Sequence, residues 1–202
     1  MRDSVATRDI KSAILDATDR LLAGRGYKKM TIDDLAAEVG IGKGSVYLHF
    51  ESKEEIVLSH IDRIIERLKA RLVEISGKDI PRQRRLKEML IERIIFRFDA
   101  VQNYTQSLND VLSKIRPSLL ERRKRHFDEE ARIFATLIKD GIEAGEFAKS
   151  NANDVAVSLL VATNALLPYS LSTQELGERA EIQKRASQVA DLLLKGLIVR
   201  RD

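Results

Sequence analysis

Residues 31–53, TIDDLAAEVGIGKGSVYLHFESK, constrain this chain more than any other stretch. Thr31 can cap a helix, since its hydroxyl can accept from first-turn N–H groups, and Asp33 and Asp34 stand at the positive end of the helix dipole. Ile32, Leu35, Ala36 and Val39 recur at helical spacing. Gly40 ends the segment, because glycine enters the left-handed region without a steric penalty. Ile41 plugs the turn that follows. Gly42, Lys43, Gly44 and Ser45 open a second, short helix. Its inner face holds Val46 and Phe50, and its outer face holds Lys43, Ser45, Tyr47 and His49. Ser52-Lys53-Glu54-Glu55 has the capping-box pattern that starts a third helix.

A helix, a glycine turn and a compact second helix make a helix-turn-helix, whose second helix enters the DNA major groove. Lys43 and Ser45 are expected to reach base edges, the lysine at guanine O6 and N7, and Gly44 lets the backbone come close. Thr31, Tyr47, His49 and Lys53 are expected at phosphates, where contacts set register rather than read sequence. The run Gly40-Ile-Gly-Lys-Gly-Ser also looks like part of a phosphate-binding loop. That reading fails, because the loop's first glycine is missing, and a helix rather than a strand precedes it.

The stretch resembles the DNA-binding region of TetR-type (tetracycline-repressor-like) regulators. The resemblance rests on Gly26-Tyr27, Thr31, Asp34-Leu35-Ala36, Val39-Gly40-Ile41, Gly44-Ser45-Val46-Tyr47, His49-Phe50 and Ser52-Lys53-Glu54, within about residues 10–60. Such a family implies an all-helical homodimer that binds palindromic operators, usually represses, and releases DNA when a small molecule binds the C-terminal domain. One position departs: Gly42 stands where the family usually has serine or threonine, which weakens the cap of the recognition helix.

Composition agrees with an all-α chain. Glycine and proline are scarce, 10 and 3 in 202 residues, and 44% of the residues are hydrophobic, enough for a real core. There is no cysteine, which removes disulfides and thiolate metal sites and is compatible with a reducing cytoplasm. No run is long and apolar enough to span a membrane, so a cytoplasmic protein is expected. The net charge is +4, yet residues 1–60 hold nine basic and ten acidic residues. DNA binding therefore requires the cations to gather on one face, with Arg8, Lys11, Lys28, Lys43 and Lys53 the candidates.

Along the chain, residues 1–8 read as an irregular start from which Arg2 and Arg8 could reach a minor groove. Helical periodicity runs from Ile10 to Ala23 and ends at Gly24-Arg25-Gly26. The expected division is a helix-turn-helix domain over 1–55 and a helical ligand-binding and dimerisation domain over 56–202, with about nine helices in all. A long helix over 53–75 would act as the lever between them. Further helices are expected over 81–101, 105–115 (ended by Pro117), 118–144, 153–171 and 178–199. The last two have more apolar surface than a monomer needs, and Ala162, Ala165, Ala190 and Gly196 allow close approach. A homodimer through about 153–199, as a four-helix bundle, is the expectation.

Catalysis is not expected. His49, His60 and His126 read as lacking metal-ligand spacing, and no nucleophile motif is present. No cofactor or metal is implied. A small-molecule site is expected in the middle helices, lined by Phe96, Tyr104, Phe127, Phe134, Asn164 and Tyr169, for an apolar or amphipathic effector. The partners are then double-stranded operator DNA and a small-molecule effector. The alternative is a helical protein-interaction or ligand-binding module that has lost specific DNA binding.

Overall fold

The computed structural model describes residues 2–102, 108–167 and 177–199, with the side chains of 2–8, 108–114 and 116 outside the description. The described residues form eight α-helices: α1 Arg2–Lys29, α2 Ile32–Val39, α3 Lys43–Tyr47, α4 Lys53–Ser76, α5 Arg82–Val101, α6 Leu108–Glu143, α7 Ala152–Thr163 and α8 Arg179–Lys195. A 3₁₀ turn, Asn164–Leu166, follows α7. The chain divides into two units, one of residues 1–64 with 103–122 and one of residues 65–102 with 123–202. Helices α4 and α6 supply residues to both.

In the first unit, α1, α2 and α3 and the start of α4 bury Ile14, Leu21, Leu22, Tyr27, Met30, Leu35, Val46, Phe50 and Ile56. These are the periodic apolar positions, and their burial is what makes such short helices stable. Helical backbone starts at Arg2, so the expected irregular start is not found. Gly24 lies inside the helix, and the break falls on Gly26 alone, at φ 74° and ψ 167°. Those dihedrals belong to glycine, and they let Tyr27 turn inward, where it is 4% exposed. Its hydroxyl donates to Glu54 Oε1 at 2.7 Å. Burial and that carboxylate together push the tyrosine pKa well above its ordinary value.

In the second unit, one apolar cluster gathers Leu68, Leu72, Leu86, Met89, Leu90, Phe134, Leu137, Ile138, Leu160 and Leu194. A second gathers Ile94, Ile95, Phe98, Leu167, Ile182 and Ala186. Three boundaries differ from the periodicity. Pro117 does not end a helix, because α6 continues through it. The missing N–H and ring clash cost about 3 kcal/mol, and burial along this 36-residue helix offsets them. Helix α7 stops at Thr163 rather than near 171, and Leu167 is already extended at ψ 141°. The residue before a proline is pushed out of the helical region, and Pro168 is next in the chain; it lies outside the described residues. Helix α8 ends at Lys195, because Ile198 leaves it to form an antiparallel bridge with Phe147. The Phe147 ring packs against Gly141, where any Cβ would collide with it.

Candidate functional site

The helix-turn-helix is built by reciprocal caps. The Thr31 hydroxyl accepts from the Asp34 N–H at 3.1 Å, and the Thr31 N–H donates to Asp34 Oδ2 at 2.9 Å. Asparate at the third helical position thus closes the box that glutamate more often closes. These hydrogen bonds from Thr31, with Arg25 beside them, hold the Asp34 carboxyl below its ordinary pKa. At the other end Gly40 is left-handed, at φ 75° and ψ 32°, and the Ile41 N–H reaches the Ala36 carbonyl at 2.9 Å. Helix α3 starts at Gly42 with no side-chain cap, as its sequence implies.

Rotation of about 100° per residue along α3 sorts its side chains. Val46 and Phe50 are buried in the unit's core, and Ser45 and His49 are half-buried beside them. Lys43, Tyr47, Gly44 and Leu48 form the exposed arc, with Gly44 and Leu48 opposite Val46 and Lys43 and Tyr47 at its edge. The Lys43 ammonium donates to Asp33 Oδ2 at 2.8 Å, a pair open to water on both sides. Its hydrogen bond and attraction to Asp33 raise its pKa. Lys53 has partners within the unit. Its ammonium donates to the carbonyls of Tyr27 and Met30 at 3.0 and 3.1 Å and lies over the Tyr27 ring. It locks the start of α4 onto the Gly26 turn. Leu48 was missing from the expected set, yet it is 85% exposed. A partial signal was available: it is four residues from Gly44 and off the Val46–Phe50 face.

In the second unit the structure brings together residues that sequence reasoning missed. Arg93 and Arg97, one turn apart on α5, both donate to Glu130 of α6, Arg93 through Nε at 2.8 Å. Arg93 and Glu130 are 1% exposed and Arg97 5%. The Arg93 guanidinium also reaches Thr163 Oγ1 at 3.1 Å and Asn164 Oδ1 at 2.9 Å, at the end of α7. The available signal was two arginines at i, i+4 inside the apolar run MLIERIIFRF. Of the expected pocket residues, Asn164 belongs to this cluster. Phe134 is fully buried in the core, and Phe96 and Phe127 are half-buried against it. Tyr104 and Tyr169 lie outside the described residues. In the fold His126 stands near carboxylates. It shares a cluster with Glu129 and Glu66 whose donor atoms lie within 4.8 Å of one another. Lys69 donates to both of those carboxylates, to Glu66 at 2.6 Å, so a lysine ammonium answers their charge.

Large apolar side chains stay open on the last two helices. Val161 of α7 is 56% exposed and Leu192 of α8 is 70% exposed. Ala162 and Ala165 are exposed near Val161, whereas Ala190 is buried within the unit. No helix among the described residues is long and apolar enough to cross a membrane.

Known proteins agree with this architecture. The model for bacterial regulatory proteins of the tetR family matches residues 14–59, and that for the QacR-like protein C-terminal region matches residues 94–198. The transcriptional repressor DhaR of a Mycobacterium strain is 26% identical over 165 residues, 79% of this chain and 80% of that protein. A transcriptional regulator of Cytophaga hutchinsonii has a similar structure, with TM-score 0.75 and 24% identity over 92% of this chain and 97% of that one. The Bacillus subtilis regulator FadR, crystallised with stearoyl-CoA, has TM-score 0.64 and 16% identity over 92% and 98%. Two local matches, to HTH-type regulators of Bacillus subtilis and Lactococcus lactis, cover only 43% of those proteins' own length. The matched regions take in both the helix-turn-helix and more than half of the chain beyond it, and the chain belongs to the TetR family of bacterial regulatory proteins.

Proposed function

We propose that this protein is a transcriptional repressor that binds a palindromic operator as a homodimer and is released by a small-molecule effector. The observation that carries the reading is the exposed arc of α3, where Lys43, Tyr47, Gly44 and Leu48 project from a doubly capped scaffold. Lys43 reads base edges, while Tyr47 and Thr31 hold phosphates. Ser45 and His49 contribute from the flank of the arc. Lys53 acts mainly through the Gly26 turn.

The open apolar side chains of α7 and α8 support dimerisation through that pair. A two-fold axis would set two copies of α3 in successive major grooves, about 34–36 Å apart. The effector acts in the second unit, near the Arg93 cluster and the Ile94–Ile182 apolar cluster, and an amphipathic molecule suits that mixture. FadR with stearoyl-CoA is a relative that holds a molecule of this kind. The effector must bind more tightly to a conformation that fits DNA poorly, with α4 carrying the difference. Such a repressor works in the cytoplasm.

Genomic-fragment selection on the purified protein, at near-physiological salt, tests the reading. One enriched palindrome is expected. Binding with no sequence preference and no dependence on salt would replace it with a protein-interaction module.

A further inference from the structure

We infer that Leu48 is a specificity-determining residue, one that reads the 5-methyl group of thymine in the operator; this rests on the proposed DNA-binding function. Among the described residues Leu48 is the most exposed large apolar side chain, at 85%. A single exposed leucine is ordinary on a protein surface, so exposure alone does not carry the argument. Position does.

Leu48 caps α3 in helical geometry, at φ −66° and ψ −22°, and its N–H bonds to the Gly44 carbonyl at 3.1 Å. Its side chain therefore lies one turn beyond Gly44 on the same face. A Cβ at Gly44 would meet nothing within 4 Å, so the surface beside Leu48 is open backbone. Tyr47, 49% exposed, stands next to it. The polar head on the same arc, Lys43, is held by Asp33. Leu48 thus adds an apolar side chain at the end of the arc nearest the α3 C-terminus. In a major groove the thymine 5-methyl is the apolar group that a base presents, and a leucine supplies the matching surface. Nothing in the fold needs this side chain, because it packs away from Val46 and Phe50.

The test starts from an operator selected from random duplexes with the whole protein. Each thymine in the operator is then replaced by uracil, which deletes the methyl alone. At one thymine per half-site, uracil should weaken wild-type binding by about fourfold, the factor for one buried methyl-sized group. Leu48→Ala should weaken the thymine operator by roughly tenfold and bind thymine and uracil versions equally, while Leu48→Met should restore the preference. Helical content and melting temperature should match wild type in both variants. Unchanged affinity in Leu48→Ala overturns the inference, as does an equal uracil effect in wild type and Leu48→Ala. Either result, obtained on a well-defined palindrome, leaves the repressor reading standing. Failure to select any motif overturns both.

Discussion

The same kinds of charged side chain behave in opposite ways around the helix-turn-helix and inside the core of the second unit. Around the helix-turn-helix, Lys43–Asp33 and Arg20–Glu38 pair across open surface, and all four partners are wet. Such pairs contribute little to stability, because water screens them and two long side chains must be held still. Their charges remain open to other partners. In the second unit, Arg93, Arg97 and Glu130 are sealed from water. There each ion has lost its hydration, and removing one strands the others. The lesson is that surface charge can be exchanged for another partner, whereas buried charge is committed to the fold.

The largest expected effect tests the buried side of that contrast. Glu130→Ala should destabilise the protein by about 3–5 kcal/mol in urea melts. Replacing Arg93, Arg97 and Glu130 together by Met, Leu and Leu should be close to neutral or stabilising. If Glu130→Ala melted like wild type, the contrast would collapse.

On the surface side, Lys43→Ala should weaken operator binding by about 1–3 kcal/mol if its base contact is bidentate. It should leave the urea midpoint unchanged. Fluorescence anisotropy with the selected operator, beside the same melts, separates the two effects. A shifted midpoint with intact binding would make Lys43 structural.

Thr31→Ala should cost about 1 kcal/mol of stability, the usual loss of an N-cap. The effect carries a pH signature. Asp34 has a lowered pKa in the folded protein, caused first by its hydrogen bonds to Thr31. Its contribution is therefore present above the ordinary carboxylate pKa and is lost as pH falls through the lowered value. The difference in melting temperature between wild type and Thr31→Ala should shrink on acidification below the ordinary carboxylate range. A gap that stays constant with pH would mean the cap works without the carboxylate.

The smallest effect belongs to Asp33→Ala. Stability should change by less than about 0.5 kcal/mol. Non-specific DNA affinity should rise, because Lys43 is released and an acid beside it is removed. Titration of random duplexes at several salt concentrations reads this directly.

Much of the first unit was legible before any coordinates. Thr31, Gly40, Gly42 and the Val46–Phe50 pair act within a few residues of themselves, through caps, a left-handed turn and one helical face. Local backbone chemistry is written in local sequence. The exposure of Leu48 was not legible from its place on the helix alone, because whether an apolar side chain at a helix end is covered depends on the rest of the fold. The inward contacts of Lys53 were not legible, because a lysine at a helix start is ambiguous until the carbonyls of Tyr27 and Met30, more than twenty residues away, are placed beside it.

The amino-acid sequence by itself determined the all-helical character, the helix-turn-helix and the inward faces of the long helices, since periodicity, capping and glycine stereochemistry are short-range. Only the tertiary structure decided that α6 runs through Pro117, that Ile198 leaves α8 to pair with Phe147, and that Arg93, Arg97, Glu130, Thr163 and Asn164 meet. Each of those outcomes depends on partners from distant parts of the chain, and burial fixes the energy of a proline, a strand-like bridge or an arginine only after those partners are in place.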